Sequence, residues 1–174
     1  MSQGENSSGG CYVDNRLLPV MRDAVTTVQM ILFRVLRRSL RERCSDRDDS
    51  FHTRLSGAVI NNLFGTQPAN DAVAAFGAAH RELVETELRG LADRCAELRP
   101  ILTDALRMQT ICDNQESIHS IPSLLMARAL GLLEEERELP LPSTFILQVR
   151  RLAVEHGLIQ PMTPADPFSE DPPA

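Results

Sequence analysis

Glu116 and His119 stand three positions apart, a spacing that sets a carboxylate and an imidazole one turn apart on a helix face. In helical-bundle di-metal proteins a Glu-x-x-His pair of this kind projects inward to an ion. Such sites also carry a second pair and further carboxylates from facing helices. This chain has a single Glu-x-x-His pair; the other inward-facing groups on offer are His80 and, seven residues further on, Glu87. His80, Glu116 and His119 are therefore the metal-ligand candidates. The competing and favoured reading puts Glu116 and His119 in an irregular segment before Pro122, where they satisfy helix ends.

His80 also flanks a patch of small residues, Ala74, Ala75, Gly77, Ala78 and Ala79, with Phe76 among them. Removal of side-chain bulk lets a flat ligand or another helix reach the backbone. On the ligand reading, Phe76, Gly77 and His80 form a cofactor site, with His80 as a haem-type axial ligand or a polar contact; the residues name no particular cofactor. The favoured reading is a tight helix crossing with His80 hydrogen-bonded at the edge of the core.

A third candidate is basic. Arg34, Arg37, Arg38, Arg41, Arg43 and Arg47 oppose only Glu42 and Asp46 in that stretch, and every one of the 18 basic residues of the chain is Arg. Guanidinium groups at this density suit phosphates or a partner's carboxylates, so Arg34, Arg37, Arg38 and Arg41 are the nucleic-acid or partner-contact candidates. Against phosphate binding, no aromatics are interleaved with these arginines, the chain as a whole carries a net charge of −6, and cations near a helix C-terminus are favoured by the helix dipole alone. The favoured reading of the absence of Lys is GC-rich coding. The acidic residues Glu134, Glu135, Glu136 and Glu138 and an acidic C-terminal tail complement the arginines in a way that would steer association of two subunits.

The cysteines at 11, 44, 95 and 112 form neither CxxC nor a Cys/His zinc spacing, and the chain contains no GxGxxG, Walker loop, GxSxG or HExxH. Free thiols in a reducing cytoplasm are the expectation. No positively charged start followed by an apolar run marks a signal segment, and apolar runs are too short for a membrane span.

The elements that must position these groups are helices. Val84, Leu88, Leu91, Cys95, Leu98, Leu102 and Ala105 recur at spacings of three and four, and the same stripe continues through Gln109, Cys112, Glu116 and His119, turning polar as it goes. Pro100, which fits the first turn of a helix, divides it into helices at about 69–98 and 100–114. Ahead of these lies a long helix over about 14–44. Leu18, Met21, Val25, Val28, Leu32 and Val35 repeat at heptad spacing there, and Met30, Ile31, Phe33 and Leu36 widen the stripe enough to need two neighbours. A helix over about 51–64 stops at Gly65, a fifth runs from Ser120 and Pro122 to about Glu138, and a sixth follows Ser143 and stops at Gly157. No segment alternates as a strand would.

The fold expected is all-α, a bundle of about six helices with long first and third members. With 174 residues, 43% of them hydrophobic, one domain with its own core is the default. It is assigned to residues 12–160, between disordered segments at 1–11 and 161–174, the latter rich in Pro and acidic residues. The leading functional expectation is a non-catalytic protein-interaction or regulatory module, homodimeric through its long helices, with an unidentified protein as a further partner. A metal- or cofactor-binding bundle with oxidoreductase chemistry and a nucleic-acid binder are the alternatives.

Overall fold

A computed structural model describes residues 15–66, 68, 70–114, 121–132 and 138–161. It is all-α. The first helix, α1 (Leu18–Arg43), starts with Pro19 in its first turn, where a missing N–H costs nothing, and buries Met21, Val25, Val28, Ile31, Leu32, Leu36 and Leu40. Its wide apolar stripe meets three neighbours: α5 most extensively, then α2 and α7.

Each following element begins or ends for a local chemical reason. The Asp48 carboxylate accepts the Phe51 N–H at 2.8 Å and caps α2 (Asp49–Phe64), which Gly65 closes at φ 64°. The Asn70 side chain accepts the Val73 N–H at 3.0 Å and caps α3 (Asp71–Ala79). The helix α4 (Arg81–Arg94) is followed by a 3-10 turn at Ala96–Leu98 and then α5 (Arg99–Asn114). Next come α6 (Ile121–Ala129) and α7 (Pro142–Glu155), closed respectively by Gly131 at φ 68° and Gly157 at φ 69°.

Two expected boundaries shift. The predicted third helix breaks at His80, whose φ of −116° and ψ of 32° leave the helical region. The His80 N–H donates to the Phe76 carbonyl at 3.0 Å and the ring Nδ1 lies 3.0 Å from the same oxygen, so the side chain folds back on the end of α3, and the next helix restarts with the Val84 N–H on the His80 carbonyl at 3.0 Å. The predicted fifth helix ends at Ala129 rather than near Glu138, because Gly131 takes up the left-handed conformation and Leu132 N–H donates back to the Ala127 carbonyl at 2.8 Å. Residues 133–137, which include Glu134, Glu135 and Glu136, lie outside the described residues, as do 1–14 and 162–174.

The apolar stripe that crosses from α4 to α5 is buried along its whole apolar part, from Val84 through Leu88, Leu91, Cys95, Leu98 and Leu102 to Ala105. The 3-10 turn at Ala96–Leu98 keeps the face continuous through the break. Together with Phe64 of α2 and Phe145 of α7, these side chains form one core around α1 and α5. Among the described residues no helix is long and apolar enough to cross a membrane.

Candidate functional site

A concave surface with a mainly apolar lining follows the outer face of α1. Thr26, Gln29, Met30, Phe33, Arg34 and Arg37 of α1 face Gly57, Ile60 and Asn61 of α2 across a groove of about 430 Å³. On α1 these residues recur every three or four positions, so they form one stripe along the helix, opposite the stripe that enters the core. Met30 lies at its middle and is 50% exposed. Gly57 keeps the α2 wall low: a Cβ built there meets nothing within 4 Å. A smaller and more polar hollow of about 230 Å³ continues the groove past Thr26 and Gln29 to Arg22, Thr66, Gln109, Cys112 and Asp113. There Gln109 Nε2 donates to the Phe64 carbonyl at 3.0 Å, and its buried Oε1 has no hydrogen-bond partner among the described residues.

At the Arg37 end, the first carboxylate of α2 fixes the groove wall. Arg41 holds Asp49 Oδ1 through Nε at 2.8 Å and Nη2 at 2.6 Å, and Arg37 binds Oδ2 through Nη2. The hydrogen bonds from Arg41 and then Arg37 hold the Asp49 carboxyl below the usual carboxylate range. Arg34 reaches across to α7, where its Nη1 donates to the His156 carbonyl at 3.3 Å. Of the four arginines proposed to contact nucleic acid or a partner, Arg37 and Arg41 thus spend charge on Asp49, whereas Arg38 is exposed and makes no ion pair among the described residues.

The remaining candidates separate into distinct places. His80 stacks on Phe76 with ring centroids 4.2 Å apart and meets Phe51 edge-on at 5.6 Å, while Arg47 covers the other ring of this cluster, 5.1 Å above Phe51. Gly77 of α3 faces α2, where an added Cβ would sit 3.6 Å from Ala58 Cβ, the geometry of a tight α2/α3 crossing. Phe76, Gly77 and His80 therefore pack as part of the fold's edge. Glu116 and His119 lie outside the described residues, and among the described residues no three His, Cys, Asp or Glu side chains converge as a metal site would require.

Glu87 is inward-facing, as its spacing from His80 suggested, and is 2% exposed. Its partners are two arginines. Arg43 donates to Oε1 at 3.0 Å and to Oε2 at 2.8 Å, a bidentate pair, and Arg94 Nη2 adds a contact to Oε2 at 2.8 Å. The hydrogen bond to Glu87 raises the pKa of Arg43. Gly90 makes the Arg94 contact feasible, because a Cβ at that position would collide with the Arg94 guanidinium.

The groove residues Met30 and Phe33 left a trace in the sequence as apolar positions outside the heptad stripe. Gly57 and Asn61 left none, since only the approach of α2 brings them opposite α1. In comparisons with known proteins, no family model, curated protein or solved structure matches the chain.

Proposed function

We propose that the protein is a non-catalytic interaction module whose working surface is the α1/α2 groove, and that the groove receives the apolar face of a helix. The observation that carries this reading is the groove itself: Met30 half exposed over a floor of Phe33 and Ile60, with Gly57 leaving room beside it. Its shape matches the helix-in-groove mode of recognition, in which anchors at helical spacing enter an apolar trough and charges at the rim set orientation. Arg34 and Arg37 at one end favour a helix that brings a carboxylate there.

The non-catalytic part of the reading is supported by how the polar groups of the interior are used. Glu87 is taken by two arginines, His52 Nε2 lies 2.8 Å from the Cys44 carbonyl, His80 is turned to the Phe76 carbonyl, and Thr103 donates to the Leu132 carbonyl at 2.5 Å. The bonds of Glu87, His52 and Thr103 join separate helices, and that of His80 closes the end of α3.

Gly57→Trp tests the proposal, because an indole there fills the groove while α2 keeps its backbone and its buried face. A displayed library of amphipathic helices, selected on the wild-type protein at nanomolar concentration, should yield binders whose affinity falls at least tenfold for Gly57→Trp at unchanged helicity by circular dichroism. Selection of no binder, or of binders indifferent to the substitution, would remove the basis of the reading.

A further inference from the structure

The exposed stripe of α1 is complementary to itself. Asp23, Met30 and Arg37 are seven residues apart, so they fall on one line along the helix, with Met30 midway. The line spans fourteen residues, about 21 Å at a rise of about 1.5 Å per residue. If two copies of α1 lie antiparallel with a two-fold axis at Met30, position 23 of one copy faces position 37 of the other, at both ends at once. Asp23 is exposed, and its carboxylate has no ion-pair partner among the described residues; its backbone carbonyl accepts the Thr27 hydroxyl at 2.8 Å. Arg37 gives Nη2 to Asp49 and its Nε is buried, but its side chain is still 31% exposed. Arg34, one turn away on the same rim, adds a second cation within reach of the same carboxylate.

On the groove reading above, we infer that the occupant of the α1/α2 groove is α1 of a second copy of this chain, antiparallel and centred on Met30. Each copy contributes the Met30 side chain to the other's groove, between the Phe33 and Ile60 floor and the low wall at Gly57. Asp23 of each copy closes on Arg37 and Arg34 of the other. The interface is isologous, as a two-fold pair requires: the same residues serve as ligand and as site. A parallel pairing would set Asp23 against Asp23 and Arg37 against Arg37, so the charges select the antiparallel direction.

Sedimentation of the full chain across a concentration series decides the matter. The wild type is expected to dimerise. Met30→Glu, at a position already half exposed and so tolerant of charge, should weaken the dimer at least tenfold. Asp23→Arg should do the same by facing Arg34 and Arg37 with a like charge, and Asp23→Arg combined with Arg34→Asp should restore part of the loss, since the new carboxylate at 34 offsets Arg37 opposite the new arginine. A wild type that stays monomeric at the highest concentration overturns the inference, as does a dimer that none of these variants changes or one that the double variant fails to restore. A monomer that still binds a selected helix and loses it in Gly57→Trp leaves the groove reading standing without its second copy. A monomer that binds no helix removes both.

Discussion

At the scale of single residues, the strongest constraint in the molecule is Glu87, because a carboxylate 2% exposed is held by two guanidinium groups. Removing it leaves two guanidinium groups that are 39% and 24% exposed and can be rehydrated, so Glu87→Ala should cost about 1–3 kcal/mol in urea unfolding for the lost charge-assisted hydrogen bonds. Glu87→Leu combined with Arg43→Met and Arg94→Met should regain most of that stability, since no charge is then left unpaired. A smaller loss in the single variant would show that water replaces these hydrogen bonds fully. The inward direction of Glu87 was legible from its place beside Val84, Leu88 and Leu91. Its partners were not, because Arg43 lies 44 residues away and only the approach of α1 to α4 brings it there. Arg94 is the nearer partner, and Gly90 between them is the one local sign in the sequence that the side chain folds back.

At the scale of the helix, two glycines in helix interiors make opposite predictions. A Cβ at Gly57 meets nothing, so Gly57→Ala should stabilise the protein by about 0.5–1 kcal/mol through helix propensity alone. Gly90→Ala gains the same propensity but drives the Arg94 guanidinium off Glu87, so its stability in the same urea assay should fall below that of wild type. Equal gains from both substitutions would show that Arg94 is not held. Gly65 and Gly157 were readable in advance as stops, whereas Pro19 sets the start of α1 at Leu18, later than the expected start near 14. The break at His80 was not readable, since Ala, Gly and Ala around it favour or permit helix. The outcome there depends on an imidazole reaching the Phe76 carbonyl while its ring stacks on Phe76.

At the scale of the whole molecule, α1 is the axis on which the other helices assemble, and α7 closes the core by inserting Phe145, fully buried, against α1 and α5. Phe145→Ala should therefore cost about 3–5 kcal/mol. If the helices unfold as one unit, loss of helicity by circular dichroism and exposure of the buried Cys95 thiol, whose pKa burial pushes up, should follow a single transition in both wild type and variant. Exposure of the thiol at lower denaturant than loss of helicity would instead divide the bundle into separately unfolding parts.

The sequence by itself determined the class of fold and the inner face of most helices, because apolar periodicity and end signals act within a few residues of chain and need no partner to be specified. It also showed that α1 was apolar beyond a single stripe. Only the tertiary structure decided which of those extra residues were covered: Ile31 and Leu36 went into the core, Phe33 became partly buried, and Met30 was left facing a groove. The same holds for charge. A run of arginines reads alike whether it meets phosphate, solvent or acid, and the approach of the α2 N-terminus and of α4 assigned Arg37 and Arg41 to Asp49 and Arg43 to Glu87. Burial and pairing depend on distances between segments far apart in the chain, and no local pattern encodes those distances.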